Sequence, residues 1–266
     1  MNIFDIDFAE LYRRHMAASG RQLKAPEDWD GRAARMKAGA LGSNYVRQFV
    51  SRMDLSGCSS LLDVGCGTGA IGLTLADRLD EVVGLDYSAG MLDAMMELAA
   101  ERGADHVRPL RKSWEDDWSD VPVCDIAVAS RSTAVRDLKA ALVKLDQHAR
   151  RRVYLTSKVG GYFIDPAIAA VIDRRLDPVP DYIYAVNILY QMGRQARVDF
   201  IDNDHSPSAC ESASEFVRRV AFSLGPLADE DRDRLTEWFD EDPARARTTG
   251  QPFRWAFIAW ETGRAT

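Results

Sequence analysis

Leu61-Leu62-Asp63-Val64-Gly65-Cys66-Gly67-Thr68-Gly69, followed a short helix later by Val82-Val83-Gly84-Leu85-Asp86, decides the fold of this chain. The first run is an apolar strand that breaks into a glycine turn, and the second is a strand that ends in an acid. Between them, Ala70 to Leu79 fits a helix. Such a unit aims backbone N–H groups and a helix N-terminus at one part of a ligand and a carboxylate at a ribose. The stretch points to a nucleoside-containing ligand.

Two readings of the turn compete. Gly67-Thr68-Gly69-Ala70-Ile71-Gly72 matches the dinucleotide fingerprint GxGxxG, which by itself is unspecific. Asp63, however, stands two residues before Gly65 at the carboxyl end of the strand. A buried acid there opposes a pyrophosphate and suits a cationic ligand, because it lowers the cost of a nearby positive charge.

The segment Asp63 to Gly69 with Asp86 resembles the class I S-adenosylmethionine-dependent methyltransferases. The resemblance implies that the glycine turn packs against the methionine part of S-adenosylmethionine, that Asp63 helps hold that zwitterion, and that Asp86 takes the ribose hydroxyls. It places cofactor contacts at Asp63, Gly65, Cys66, Gly67, Gly69, Asp86, Tyr87, Met91, Ser113, Trp114 and Ser130. Tyr87 corresponds to a residue along the adenine face. After the third strand the family often has an acid followed by a small residue; Ser113-Trp114 departs from that, although a serine oxygen can accept the same hydrogen bond. Trp114 either stacks on adenine or covers the sheet edge.

The rest of the chain alternates in the same manner. Strands are expected at 61–64, 82–85, 107–110, 123–129 and 152–156. Ser88 caps a helix that Gly103 ends, and another helix runs from about Asp137 to His148. These β-α-β units imply a doubly wound, mostly parallel sheet. Asp165-Pro166 starts a further helix, Tyr182 to Met192 forms the next, and Arg197 to Ile201 is a sixth strand. A helical stretch from about Glu211 to Phe239 precedes a last strand, Phe253 to Trp260. That ending resembles the methyltransferase order, in which a seventh, antiparallel strand inserts between the fifth and sixth. The expected organisation is an α/β fold with an N-terminal helical lid (1–57), a Rossmann-like core (58–202), a helical insertion (203–250) and a final strand completing the sheet (251–266).

At 266 residues the chain has room for one large α/β domain with additions. Its net charge of −7 opposes non-specific nucleic-acid binding, which depends on basic side chains. Cys58, Cys66, Cys124 and Cys210 form no CxxC pair and no metal spacing with the four histidines, so no metal is expected. Buried thiols, an N-terminus unlike a signal peptide and no long apolar run suit a cytoplasmic protein away from membranes.

For the acceptor side, the residues just after each strand matter, since ligands of open α/β sheets bind there. Ser130-Arg131-Ser132-Thr133 follows the fourth strand and lacks the Asn/Asp-Pro-Pro-Tyr/Phe sequence of amide and nucleobase methyltransferases. Arg131 offers a cationic fork for a carboxylate or phosphate on a substrate, or an internal ion pair with Asp137 or another acid. In the N-terminal segment, an apolar stripe including Tyr45, Phe49 and Met53 fits core packing, with Tyr12, His15, Trp29 and Tyr45 as lid candidates. Tyr162, Phe163, Tyr182, Tyr184 and Tyr190 cluster after the fifth strand, where the family builds much of its acceptor pocket. Tyr45, Arg131, Tyr184 and Tyr190 are thus the candidate substrate residues. Of His15, His106, His148 and His205, only His15 is placed to reach the site, and the sequence names no catalytic residue.

The expected function is methyl transfer from S-adenosylmethionine to a small molecule, anionic if Arg131 faces it. Positioning and exclusion of water carry such an in-line displacement. The rival readings are a nicotinamide-dependent oxidoreductase, a chain that binds S-adenosylmethionine without transferring methyl, and a protein or RNA methyltransferase.

Overall fold

Seven strands form one sheet: β1 (Ser60–Val64), β2 (Glu81–Asp86), β3 (Val107–Arg111), β4 (Cys124–Ser130), β5 (Ala149–Lys158), β6 (Arg197–Asp202) and β7 (Arg254–Glu261). Their order is β3-β2-β1-β4-β5-β7-β6. The first five run parallel, while β7 pairs antiparallel with both β5 and β6. This computed structural model describes residues 2–39, 41–202, 210–244 and 254–263. His205 and Phe253 lie outside the described residues.

β1 is buried along its whole length, which explains its apolar run interrupted only by Asp63. Central parallel strands are covered on both faces and so read as continuous rather than alternating. The helices are α1 (Phe8–Ala18), α2 (Pro26–Asp30), α3 (Ala33–Ala38), α4 (Asn44–Ser51), α5 (Gly72–Leu75), α6 (Ala89–Glu101), α7 (Leu138–His148), α8 (Pro166–Ala170), α9 (Ile183–Gln191), α10 (Ala213–Leu224) and α11 (Asp229–Glu241). One face of the sheet packs Leu62, Val64 and Leu155 with Leu142 of α7 and Leu189 of α9. The other packs Leu61, Val82 and Phe257 with Phe49 of α4 and Met95 of α6. Deleting a buried leucine of this kind costs about 2–5 kcal/mol.

Three elements differ from the sequence expectation. The N-terminal segment, expected to be helical, is not continuous: it breaks between α2 and α3 at Gly31-Arg32. The cause is tertiary: Asp30 Oδ1 accepts from Ser88 Oγ at 2.5 Å and from Gly90 N at 2.9 Å, so α2 ends where it docks on the N-terminus of α6. The helix expected from Ala70 to Leu79 shrinks to α5 and a 3-10 turn, Ala76–Arg78. Its first turn is set by Asp63 Oδ2, which accepts from Gly72 N at 3.0 Å. β5 extends beyond 152–156 at both ends, and its pairing with β7 runs from Arg152 opposite Glu261 to Lys158 opposite Trp255. A cross-strand partner overrides the low strand preference of charged residues.

α10 and α11 share a further core with the segment after β5. Phe216, Val217 and Val220 of α10 pack with Leu235 and Phe239 of α11 and with Ile168 and Ile172 after β5. On the other side, Ala33 of α3, with Trp29 and Met36 packed against it, joins Met91 and Ala94 of α6. The two additions meet above the carboxyl ends of the strands.

Candidate active site

A chamber of about 1630 Å³ lies at those strand ends. The glycine turn forms its floor. Gly65 has φ +63, and a Cβ there would lie 2.3 Å from Ser132 Cβ. Ser132 Oγ in turn donates to Val64 O at 2.7 Å, so β1 and the segment after β4 are pressed together at this glycine. Gly67 has φ +55, yet a Cβ there would meet only Met91 Sδ, at 3.9 Å. The left-handed conformation accounts for both glycines, and both line the chamber, but only at Gly67 is there open space beside the backbone. Gly69 faces away from the chamber, its Cβ position 2.6 Å from Met95 Cγ.

Asp63 is 1% exposed. Its Oδ2 accepts from Gly72, while Oδ1 is buried without a hydrogen-bond partner. Burial pushes its pKa up to about 7, partly opposed by the Gly72 N–H. Such a carboxyl is an acceptor in want of a cation or a donor. Asp86 is also buried and its carboxyl is raised, first by desolvation, against the pull of backbone N–H groups. Oδ2 accepts from Gly67 N at 2.9 Å and Oδ1 from Ser88 N at 2.9 Å. A carboxylate has about four lone-pair sites, so two hydroxyls can still be accepted.

The remaining expected cofactor residues fall into two groups. Cys66, Tyr87, Met91, Ser113, Trp114 and Ser130 line the same chamber as Asp63, Gly65, Gly67 and Asp86. Cys66 is buried and its thiol is held well above the usual range, so it is inert. Tyr87 donates from its hydroxyl to Lys24 O at 3.0 Å, which pins the N-terminal strap (residues 21–38) beside Asp86. Trp114 stacks on Trp118 with centroids 5.4 Å apart and donates from Nε1 to Ser132 O at 3.0 Å, so one face is used internally. Gly69 alone stands outside, and its role is the turn itself.

The candidate substrate residues divide differently. Arg131 lines the chamber, its guanidinium 4.2 Å above the ring of Tyr45. Tyr45 is 2% exposed and lies beneath it, its hydroxyl 2.8 Å from Ser130 Oγ and 2.7 Å from Thr156 Oγ1. The ion pair of Arg131 with Asp137 does not form, because Asp137 faces Arg13 at 3.2 Å and caps α7. Tyr184 packs edge-on against Tyr12 and hydrogen-bonds His15 Nδ1 at 2.9 Å, away from the chamber. Tyr190 is 59% exposed beside Phe4 on another surface. Both tyrosines sit on α9, whose buried side faces the sheet core. Of the aromatic cluster after β5, Tyr162 and Phe163 reach the chamber.

His15 is not a base in this arrangement. Nε2 lies 2.9 Å from Pro178 O, which can only accept, so the neutral ring carries its proton there and takes Tyr184 O–H on Nδ1. His106 and His148 are likewise bound to backbone carbonyls. Among the described residues no histidine lines the chamber.

Sequence reasoning missed several lining residues: Arg21, Lys24 and Arg32 of the strap, Lys158 at the end of β5, and Phe222 of α10. Lys158 was within reach, since drawing β5 to its full length puts it at a strand end. Arg21 and Phe222 carry no local signal.

The methyltransferase-domain family matches residues 61–151, which run from β1 to the start of β5 and include both site acids. Residues 61–151 are a methyltransferase domain, and the fold around them is that of the class I S-adenosylmethionine-dependent methyltransferases. Its cofactor is S-adenosylmethionine, and the nicotinamide reading falls away. An uncharacterized protein of Haemophilus influenzae is 37% identical over 99% of this methyltransferase and 100% of its own length. Among solved structures, a Geobacter sulfurreducens S-adenosylmethionine-dependent methyltransferase with S-adenosylhomocysteine superposes with a TM-score of 0.57 at 15% identity, covering 86% of this chain and 97% of that one. A Haemonchus contortus phosphoethanolamine N-methyltransferase, in complex with phosphomonomethylethanolamine and S-adenosylhomocysteine, gives 0.54 at 16%, covering 83% of this methyltransferase and 52% of that chain. At such identities the likeness is one of fold. The antiparallel β7 between β5 and β6 is part of that shared fold.

Proposed function

We propose that this methyltransferase acts on a small molecule enclosed with the cofactor in the chamber, at the carboxyl ends of β1, β2 and β4. The orphaned Oδ1 of Asp63 carries this reading. A buried carboxylate lacking a donor, beside an open Gly67 backbone, fits the ammonium end of the cofactor's methionine. Asp86 would take the ribose hydroxyls and Met91 would bound the turn. Ser113 and Trp114 would border the base.

The size of the chamber supports a small acceptor. About 1630 Å³ exceeds the roughly 300–1,000 Å³ typical of a site for one drug-sized ligand. It is roofed by the strap and the insertion, where Trp29 stands edge-on to Phe222 with centroids 5.6 Å apart. A roof of that kind leaves room for a second small molecule and obstructs a folded protein or an RNA helix. The net charge of −7 also opposes a nucleic-acid acceptor. We take residues 1–57 as the lid and the insertion as its counterpart. No described helix is long and apolar enough to cross a membrane, and all four cysteines are free, which suits the cytoplasm.

The cofactor supplies an electrophilic methyl group. The chain's part is to orient the acceptor, to exclude water and to leave the acceptor's lone pair free. Since the tyrosine hydroxyl nearest Ser130 is buried and raised by desolvation, Tyr45 stays protonated and acts as a hydrogen-bonded support rather than a base. Calorimetric titration with S-adenosylmethionine and S-adenosylhomocysteine, followed by a mass-spectrometric screen of metabolites for a gain of one methyl group, tests the reading. Micromolar binding and a methylated small molecule are expected. Binding with methyl found only on protein or RNA would overturn it.

A further inference from the structure

The chain has 41 acidic against 34 basic side chains, so an arginine should find a carboxylate easily. Elsewhere arginines do: Arg13 with Glu10, Arg52 with Asp199, Arg194 with Asp146. Several of the arginines that line the chamber do not, and two of those, Arg21 and Arg131, also reach a small adjoining recess. Among the described residues the side chains of Arg21 and Arg131 make no ion pair, and Nε of Arg21 is buried without a hydrogen-bond partner. Each guanidinium instead lies on an aromatic face, Arg21 at 3.8 Å over Phe163 and Arg131 at 4.2 Å over Tyr45. Stacking of this kind holds the plane of the fork and leaves its N–H edges available.

The third cation is Lys158, 8% exposed at the end of β5, where Nζ donates to Val159 O at 2.8 Å. Arg21, Arg131 and Lys158 all line both the chamber and a small adjoining recess closed by Tyr12, Pro180 and Trp255. The acid of this recess is Asp181, whose Oδ2 accepts from Gly160 N at 3.0 Å. Among the described residues that line the recess, three cations from three separate segments therefore stand against one carboxylate. Arg131 also stands at φ +59, a conformation unusual for a side chain with a Cβ, and its N–H is held by Thr156 Oγ1 at 2.9 Å. Backbone strain is kept where it aims this guanidinium into the site. A partly desolvated guanidinium without an anion, as at Arg21 and Arg131, is costly, and a ligand that supplies the anion relieves that cost.

We propose that Arg21, Arg131 and Lys158 form the anion subsite for the acceptor, which carries a carboxylate or a phosphate. The assignment of that anion to the acceptor rests on the small-molecule methyl-transfer reading. Arg21 comes from the strap, so the acceptor's charge also draws the strap over the chamber.

The test uses the full chain saturated with S-adenosylhomocysteine at low ionic strength. Inorganic phosphate and succinate are titrated separately by calorimetry into the native protein, Arg21→Gln and Arg131→Gln. One of the two anions should bind in the millimolar range and thereby identify the group. Each variant should weaken it at least about tenfold, with S-adenosylhomocysteine affinity unchanged. Binding of neither anion, or equal binding by the variants, overturns the subsite. A large loss of S-adenosylhomocysteine affinity in the variants also overturns it, by assigning the arginines to the cofactor's own carboxylate. Failure of the native protein to bind S-adenosylhomocysteine would instead strike at the function itself.

Discussion

Trp29 and Phe222 meet edge to face with ring centroids 5.6 Å apart, the first on the N-terminal strap and the second on α10 of the insertion. Arg32 Cζ lies 3.7 Å and Lys24 Nζ 4.6 Å from the same phenyl centroid. One ring thus gathers three strap residues over the chamber. An aromatic pair and a cation–π contact each contribute about 0.5–1.5 kcal/mol. Phe222→Ala should therefore loosen the strap far more than the sheet. Hydrogen exchange across residues 21–38 should speed up by about tenfold while β1 and β4 stay protected. Unchanged protection in the strap would mean that Phe222 does not hold it.

Gly65 and Gly67 should respond differently to alanine. At Gly65 the new methyl lands 2.3 Å from Ser132 Cβ, so the loop after β4 must move and stability should fall by several kcal/mol. At Gly67 space is available, and only the left-handed backbone is penalised, by about 1–2 kcal/mol. Gly67→Ala should remain folded and lose affinity for S-adenosylhomocysteine as its methyl enters the chamber. Thermal melts and calorimetry on the pair separate a structural glycine from a binding one.

Asp63 should set the pH dependence of cofactor binding. Burial raises its pKa to about 7 in the free protein, and a bound ammonium would lower it. Binding therefore expels a proton below about pH 7, and affinity should rise with pH through that value and level off above it. Calorimetry in buffers of different ionisation enthalpy should show proton release at pH 6 and little at pH 8.5. The sign for stability is opposite. The unfolded carboxyl titrates near 3.9, so stability of the free protein due to this group is full below that pH and declines as pH rises towards 7. Asp63→Asn should melt no lower than the native protein at pH 8 and bind S-adenosylhomocysteine at least about tenfold more weakly. A flat affinity profile between pH 6 and 8.5 would refute the role of Asp63.

On the proposed reading Asp86 has a double duty. Its carboxylate holds the N–H groups of Gly67 and Ser88 at 2.9 Å each, shaping the turn even without ligand. Asp86→Ala should lose cofactor affinity sharply and also lower the melting temperature, because two buried donors are orphaned at about 1–3 kcal/mol each. Asp86→Asn retains one acceptor and should melt closer to the native protein while still binding weakly. Equal S-adenosylhomocysteine affinity in the native protein and both variants would remove Asp86 from the site.

The sequence by itself determined the parallel sheet, the glycine turn and the two strand acids, because each is written within a few consecutive residues. Asp63 stands in the strand it interrupts, Gly65 and Gly67 follow it directly, and Ser88 caps the helix that begins beside it. Strand periodicity and glycine conformational freedom act over that same short range. Only the tertiary structure decided which side chains reach the chamber. Helical spacing in α9 leaves Tyr184 and Tyr190 equally eligible, and packing against Tyr12 and Phe4 turns both away. It leaves Arg131 free to pair with Asp137 until Arg13 arrives from α1. Arg21 meets Phe163, and Trp29 meets Phe222, across stretches of chain with no local pattern in common. Contacts of that kind arise from how the helices and strands are stacked, and no window of sequence contains both partners.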